Sequence, residues 1–320
     1  MSGGAGGRPV LVVGEALVDL VPAADGGGAL RPLPGGAAAN VAAALARLGG
    51  HAVFAGTLGS DAFGRRCEER LRRAGADLSL CGRSELPTAL AVADPDGHST
   101  RYDFHLHATA TFELTPPPGG LDRFAAVYAG GLAAVREPAA GAVAAVAEQA
   151  AALGRLVVDP NVRADRTLDP ADGARRLRRL CELARVVKAS DEDLRALWPG
   201  RTPEESCARL ADGGRLVLLT LGARGSTAFL PGGGRVRAAA PPVRVADTIG
   251  AGDAFTAACL DRFAREGVPG PGAPEESVRR LLEYAGGVAA AVVARPGADL
   301  PEGFAPGAPV PLEAGAHRLT

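Results

Sequence analysis

The chain has 320 residues, 47% of them hydrophobic, which is enough for one large α/β domain or two small ones with a sizeable core. A formal net charge of -1 gives no electrostatic reason to expect nucleic acid or an anionic membrane as a partner. The N-terminus has no apolar signal core, no apolar run approaches the length of a membrane span, and the five cysteines form no CxxC pair, so we expect a cytoplasmic protein with reduced thiols.

The first part of the chain alternates between strand and helix patterns after an expected disordered tail at residues 1–8. PVLVVG (9–14) predicts a buried strand that ends at a glycine turn. GGAAANVAAALARLGG predicts a helix, because its apolar residues recur at helical spacing. HAVFAGTLG predicts a short strand, and DAFGRRCEERLRRAGA predicts a helix that ends at a glycine.

Two β-rich insertions interrupt this alternation. TALAVADPDGHSTRYDFHLH (88–107) has two apolar or alternating runs around DPDG, which is typical of a hairpin. We expect lid strands from about 15–34 and 85–107 to form a small second sheet over the main domain. The exposed edges of such a sheet favour a homodimer formed through the lid.

The alternation resumes after residue 107. Strands are predicted in AAVYAGG, RLVVDPN, RVVKAS and RLVLLTLG, a hairpin in GSTAFLPGGGRVRAAAP, and helices over 137–153, 170–184, 191–197, 203–212, 252–266 and about 275–293. Continuous apolar strands between helices predict an α/β fold, a doubly wound and mostly parallel central sheet with helices on both faces. Residues 9–312 would form this single domain, with ligands at the carboxyl ends of the strands.

The segment DTIGAGDAF (247–255) places an acid directly after a glycine-rich turn at the start of a helix. Gly250, Ala251 and Gly252 can point several N–H groups into one space at the positive end of the helix dipole, which suits a phosphate. Asp253 could serve only as a partner of that dipole. Alternatively, a carboxylate beside an anion hole can accept the proton of a hydroxyl that attacks phosphorus.

DTIGAGDAF resembles the C-terminal signature of the ribokinase-like (PfkB-type) carbohydrate kinases, DTxGAGDxF. Further family segments are resembled, in the expected order, by PGGAAANVAAALARLG (34–49), GTLGSDAFG (56–64), DPNVR (159–163) and TLGARGS (220–226), so the resemblance covers about residues 9–300. It implies a ribokinase-like fold with a β lid, and ATP-dependent transfer of the γ-phosphate to a sugar hydroxyl. Asp253 would be the base, and the N–H groups of the 250–252 turn would form the anion hole.

The same resemblance assigns the sugar-binding side to Asp19, Gly35, Gly36 and Asn40. A carboxylate accepts hydrogen bonds from two hydroxyls, glycine lets the backbone approach closely, and asparagine both donates and accepts. Without the resemblance, Asp19 would be interpreted as an ordinary loop acid. Asn40 could be a solvent-facing polar residue, but its apolar and alanine neighbours on the helix favour a buried partner.

Two arginines are further candidates for substrate binding. Arg163, in the loop after DPN, could pair with a phosphate or a substrate carboxylate, or could be a surface arginine. The lid segment DFHLHATA departs from the aromatic–Arg pair followed by an Ala pair that is usual in fructokinases. Arg101, a few residues earlier, would substitute for the missing arginine.

The nucleotide side is predicted around two segments. Lys188 begins KASDEDL, where the family usually has K-x-N-x-x-E, and Ser190 and Asp193 occupy the last two places. In the family these places organise Mg²⁺ and its waters near the phosphates; serine and aspartate keep oxygen ligands with a shorter reach. In TLGARGS, the backbone around Thr220, Gly222 and Gly225 could meet nucleotide phosphates, although a hairpin turn explains the pattern equally well.

A monovalent cation is also implied by the resemblance. Asp247 and the carbonyl of Ile249 match positions that line such a site in many family members, so we expect activation by K⁺.

Several functions compete for this sequence. GEALVDL and DPNVR favour a fructokinase-like activity, with 2-keto-3-deoxygluconate kinase, another PfkB-type kinase acting on ribose or a nucleoside, and a non-catalytic sugar-binding relative as alternatives. An oxidoreductase is disfavoured because no G-x-G-x-x-G follows the first strand, and a P-loop kinase is excluded because no Gly-Lys-Ser/Thr is present. The expected partners are a small sugar and ATP, with no nucleic acid and no membrane.

Overall fold

The computed structural model describes residues 7–23, 28–95, 100–163, 169–301 and 303–304. Residues 1–6 of the predicted tail and 305–312 of the predicted domain lie outside these ranges. Arg8, at the end of the predicted tail, donates from its guanidinium to the backbone carbonyl of Asp122. Among the described residues, no helix combines the length and the apolar character needed to cross a membrane.

The described residues contain fourteen strands and eight α-helices. The strands are β1 (Val10–Val13), β2 (Leu17–Pro22), β3 (Leu30–Gly35), β4 (Ala52–Ala55), β5 (Thr57–Gly59), β6 (Gly82–Ser84), β7 (Leu90–Pro95), β8 (Thr100–His105), β9 (Ala126–Gly130), β10 (Leu156–Asp159), β11 (Val186–Ser190), β12 (Leu216–Thr220), β13 (Ser226–Phe229) and β14 (Arg235–Ala238). The helices are α1 (Ala37–Arg47), α2 (Ala62–Ala74), α3 (Ala139–Ala152), α4 (Pro170–Leu183), α5 (Asp191–Leu197), α6 (Pro203–Asp212), α7 (Ala251–Glu266) and α8 (Glu275–Val293).

The central sheet has eight strands in the order β14-β13-β12-β11-β10-β9-β1-β4. Six neighbouring strands of this sheet, β4, β1, β9, β10, β11 and β12, run parallel to one another. Strand β13 pairs antiparallel with β12, and β14 pairs antiparallel with β13. Short runs such as VLVV in β1 are buried along their whole length, as expected for parallel strands covered on both faces.

Helices cover both faces of this sheet. Val10 and Val12 of β1 pack into a core with α1, α2, α7 and α8, whereas Leu11 and Val13 pack into a second core with α3 to α6. Successive strand residues therefore enter opposite cores, as the pleat requires. The predicted doubly wound α/β fold is confirmed.

A small sheet of four strands, in the order β3-β2-β7-β8, stands apart from the central sheet. It contains the segments predicted to form a lid, with β2 parallel to β7 and the other two pairs antiparallel. A two-stranded parallel pair of β5 with β6 was not predicted from the sequence. Both strands have only three residues, which is too short for a period-2 pattern to be recognised.

The strand order creates a crevice at the carboxyl end of β1. The chain proceeds from β1 to β4 on one side and later returns to β9 on the other side of β1. Ligands of open α/β sheets bind where the order reverses in this way. The ends of β1, β9 and β10, together with the start of α7, therefore mark the place to search for a site.

Candidate active site

Asp253 lies in the first turn of α7 and is 7% exposed. Asn40 of α1 donates from Nδ2 to its Oδ2 at 2.8 Å, and Asn161 donates from Nδ2 to its Oδ1 at 3.2 Å. Burial raises the pKa of Asp253, while the Asn40 hydrogen bond and the charges of Lys188 and Arg163 oppose the rise. The result is a carboxylate whose two oxygens are both oriented by amide donors.

Asn161 contributes to this arrangement through its backbone as well. It follows β10 and has φ 41°, in the left-handed region that asparagine tolerates better than most residues. The local turn in the DPN sequence therefore orients the Asn161 amide toward Asp253. This contact between Asn161 and Asp253 was not predicted from the sequence.

The glycines of the 250–252 turn are closely packed, so that a side chain at either position would displace a neighbour. Gly250 caps α7 with φ 78°, and a Cβ there would lie 2.5 Å from the Cβ of Ala298. A Cβ on Gly252 would lie 2.8 Å from Nζ of Lys188. The turn is thus packed between the segment after α8 and a buried ammonium group, and no described side chain caps the helix.

Lys188 lies beneath this turn in a buried ion pair. Its Nζ donates to Oδ2 of Asp159 at 2.9 Å, and the two side chains are 6% and 0% exposed. Thr256 Oγ1 lies 3.0 Å from the same carboxylate oxygen. Burial alone would lower the pKa of Lys188, but nearby carboxylates, first Asp159, raise it above its ordinary value, so the amine stays charged at neutral pH. A fixed positive charge therefore supports the turn from inside the protein.

The predicted sugar-binding residues Asp19, Gly35, Gly36 and Asn40 lie together at the junction of β2, β3 and α1. A Cβ on Gly35 would lie 2.0 Å from Oδ2 of Asp19, so glycine is required for this carboxylate to occupy its position. Burial raises the pKa of Asp19 to about 6, and the positive charges of Arg163 and Arg70 oppose that rise.

Glu15 is a buried acid at this junction that the sequence did not reveal. Its side chain accepts from the backbone N–H of Ala37 at 3.2 Å and of Ala133 at 3.0 Å. A Cβ on Gly131 would lie 2.6 Å from its Oε1. Glu15 thus ties the end of β1 to the start of α1 and to the turn after β9.

Arg163 and the small sheet face each other across the crevice. Arg163 is exposed. Burial raises the pKa of Asp19 and of Tyr102, and the charge of Arg163 opposes both rises. Asp19, Ala91 and Phe104 are register partners and so share one face of the small sheet, and the Tyr102 and Phe104 rings stack there with centroids 6.0 Å apart. Arg101 belongs to β8, but its side chain lies outside what the structure describes.

The sequence analysis therefore missed Tyr102 and Phe104, although their spacing of two residues in RYDFH (101–105) was a usable signal.

Ser190 and Asp193 form a capping box at the start of α5. Oδ2 of Asp193 accepts from Ser190 N at 2.9 Å and Ser190 Oγ at 2.7 Å, and its Oδ1 accepts from Val162 N at 2.8 Å. Both oxygens of Asp193 thus accept hydrogen bonds from the protein, and Oδ2 accepts two of them.

Thr220, Gly222 and Gly225 lie where β12 turns into β13. Gly222 and Gly225 have φ 57° and 86°, and a Cβ on Gly225 would lie 2.2 Å from the carbonyl oxygen of Ala238. The backbone here is the hairpin turn between the antiparallel strands β12 and β13. The turn also lies at the carboxyl end of β12, the edge of the sheet where ligands of this fold class bind.

Asp247 organises the approach to α7. Its Oδ1 accepts from Ile249 N at 3.0 Å, and its Oδ2 accepts from Gly297 N at 2.9 Å. The carboxylate therefore joins the segment before α7 to the segment after α8, around the predicted cation position.

Comparison with known proteins agrees with this architecture. The model of the pfkB family carbohydrate kinases matches residues 8–303. The chain is similar to a fructokinase of Klebsiella pneumoniae, with 37% identity over 268 residues, covering 81% of this chain and 86% of the relative.

Among solved structures, it is similar to the fructokinase of Vibrio cholerae O395 bound to fructose, ADP and calcium, with TM-score 0.80, 29% identity and coverage of 91% and 94%. It is also similar to aminoimidazole riboside kinase from Salmonella enterica complexed with aminoimidazole riboside and an ATP analogue, with TM-score 0.75, 28% identity and coverage of 91% and 95%. The chain belongs to the pfkB family of carbohydrate kinases and is an ATP-dependent sugar kinase.

Proposed function

We propose that the protein phosphorylates fructose, with Asp253 as the base and the 250–252 turn as the anion hole. The observation that carries the proposal is the position of Asp253, a buried carboxylate held by two amides directly after a turn that has a buried ammonium group beneath it. The similarity to curated fructokinases supports fructose as the sugar.

In this mechanism Asp253 accepts the proton of the attacking sugar hydroxyl. Burial raises its pKa, which makes it a better proton acceptor than an exposed aspartate. The N–H groups of Gly250, Ala251 and Gly252 stabilise the transferring phosphoryl group, and the Lys188 charge strengthens this site electrostatically from below.

The sugar and the nucleotide approach from opposite sides of this turn. Asp19 and Asn40 would bind sugar hydroxyls, with Gly35 and Gly36 allowing close contact. The backbone at Thr220, Gly222 and Gly225 would face the nucleotide phosphates.

Two cations would assist. Mg²⁺ would neutralise charge on the phosphates, with Asp193 and Ser190 acting through its waters. K⁺ would lie beside the turn, near Asp247 and the Ile249 carbonyl, where it would hold the anion hole in shape.

The test is an ADP-release assay with fructose on Asp253→Asn, with Glu266→Gln on the same helix as the matched control. Asp253→Asn should lower kcat by about 100- to 10,000-fold, because general base catalysis is lost while the shape is kept. Glu266, at the exposed end of α7, should tolerate its change. Near-normal turnover by Asp253→Asn would reject the assignment.

A second substrate is favoured by Arg163. This exposed guanidinium acts on the charge of Asp19 across the crevice, and an arginine in that position suits a carboxylate-bearing sugar such as 2-keto-3-deoxygluconate. Ribose and nucleosides belong in the same substrate panel, because the Tyr102 and Phe104 rings offer a stacking face. If Arg163→Gln raises KM only for the acidic sugar, Arg163 binds the carboxylate of that sugar. A higher kcat/KM of the unchanged protein for the acidic sugar than for fructose would then reject fructose as the preferred substrate.

The outer strands of the small sheet, β3 and β8, would pair with a second copy to form a homodimer, with the sheet acting as a lid. Sedimentation of the intact protein would test this association.

A further inference from the structure

Arg70 of α2 is a buried arginine outside the groups assigned to the reaction. Its side chain is 8% exposed, and its Nη1 donates to Oδ1 of Asn40 at 2.8 Å. Its Nε and Nη2 donate to Oδ1 of Asp299 at 3.0 and 2.8 Å. The guanidinium therefore joins α1, α2 and the segment after α8 in one hydrogen-bonded chain that ends at Asp253.

This series of hydrogen bonds determines which way the Asn40 amide faces. A guanidinium can only donate, so the Asn40 carbonyl oxygen must face Arg70. The amide nitrogen is then directed at Asp253, to which it donates at 2.8 Å. With Arg70 absent, the amide could rotate and turn its oxygen toward the carboxylate, where the two acceptors would repel each other.

Asp299 fixes Arg70 from the other side. The segment 297–299 also contacts the 250–252 turn and the residues before it. Gly297 N donates to Asp247, and a Cβ on Gly250 would lie 2.5 Å from the Cβ of Ala298. Asp299 is 47% exposed, so this end of the chain of contacts reaches solvent.

We propose that Arg70 is a positioning residue for Asp253, acting through the Asn40 amide, and that Asp299 holds Arg70 in that geometry. The inference rests on the proposed function of Asp253 as the base. The competing interpretation is that Arg70 only clamps α2 to the segment after α8 and affects stability alone.

The first test compares Arg70→Met with Arg73→Met, a change on the same helix at a side chain that is 68% exposed. Arg70→Met should lower kcat by about 10- to 100-fold, because a misdirected base is costly, and should leave KM for ATP within about twofold. Arg73→Met should behave like the unchanged protein. A purely structural Arg70 would lower the melting temperature and the active fraction while leaving kcat per folded molecule unchanged, which would overturn the proposal.

The pH profile supplies a readout that stability does not move. Without Arg70, Asp253 loses a fixed donor, so its pKa should rise and the acid limb of kcat, measured at saturating sugar and ATP, should move to higher pH. The substitution also removes a positive charge that opposes the raised pKa of Asp19, so protonation of Asp19 is kept out of the readout by saturating the sugar site. The remaining titratable or charged groups that act on Asp253 or are acted on by it keep their side chains: Glu15, Tyr128, Asp159, Arg163 and Lys188. Arg70→Lys, which keeps a donor for Asn40, should restore the limb in part, and an unmoved limb in Arg70→Met would count against the proposal.

A double-mutant cycle decides whether Asn40 carries the effect. In an Asn40→Ala background, Arg70→Met should change kcat by no more than about twofold, because the group it orients is gone. Fully additive losses would overturn the proposal. Asp299→Asn, at the half-exposed end, should show a smaller loss of kcat in the same direction, and no loss would remove Asp299 from the chain. If Asp253→Asn keeps its turnover, the proposed function has failed; if it loses turnover but the cycle is additive, only the inference has failed.

Discussion

Removing Lys188 should destabilise the protein in a way that depends on pH. Lys188→Met leaves the carboxyl group of Asp159 fully buried with no cationic partner, and one of its oxygens, Oδ1, already has no hydrogen-bond partner among the described residues. Removing one partner of a buried ion pair costs about 3–5 kcal/mol of unfolding free energy.

The sign of the pH dependence follows from Asp159. Burial already raises its pKa to about 6, and the charge of Lys188 opposes that rise, so the substitution should raise the pKa further. The folded variant then retains a proton that the unfolded chain releases, and stability falls as pH rises. Between pH about 6 and 8, the loss relative to the unchanged protein should grow by about 1.4 kcal/mol per pH unit.

Urea unfolding at several pH values measures this slope. The matched control is Lys188→Met combined with Asp159→Asn, which removes the titrating group and should flatten the slope. A loss of stability that is the same at pH 6 and pH 8, or a slope that persists in the double variant, would refute the electrostatic argument.

Two further predictions concern the site itself. Gly252→Ala should lower kcat by about 10-fold or more with little effect on sugar binding. Its methyl group would lie 2.8 Å from Lys188 Nζ and must displace either the turn or the ammonium group. Initial rates at saturating sugar measure this loss. Asp19, whose pKa is raised to about 6, should accept a proton below that pH and lose an acceptor for sugar hydroxyls. KM for the sugar should therefore rise as pH falls through about 6, and in Asp19→Asn it should be high at every pH.

Much of the fold was predictable because local signals agreed with the tertiary structure. Helices predicted over 203–212 and 275–293 have those bounds in the structure, and the predicted helix over 137–153 is observed at Ala139–Ala152. The capping box of Thr202 and Glu205, with Pro203 between them, makes one such start visible in the sequence.

The sequence was less informative where the backbone bends within an apolar run. HAVFAGTLG was predicted as a single strand, but the structure divides it into β4 and β5 at Gly56. A Cβ at Gly56 would lie 2.4 Å from the Phe54 ring, a contact that exists only after the chain has folded.

The composition of the site was only partly accessible to sequence reasoning. Motifs place Asp19, Asn40 and Asp253, and the structure brings these three residues together, while their roles stay predictions. Glu15 and Arg70 could not be found in the same way. Arg70 occurs in CEERLRRAG, a run of charges that is typical of a solvent-facing helix, and its partners are 30 and 229 residues away. Only the tertiary packing identifies it as buried.

In the proposed mechanism, the charges around Asp253 would let nucleotide binding favour proton transfer. Lys188 and Arg163 lower the pKa of Asp253, whereas burial and Glu15 raise it. In the proposed mechanism, phosphates in the anion hole, whose charge Mg²⁺ neutralises only in part, would bring further negative charge near the carboxylate and would raise its pKa again. The base should therefore be a stronger proton acceptor when the nucleotide is present than when the site is empty, which couples the acceptance of the sugar proton to the presence of the phosphoryl donor.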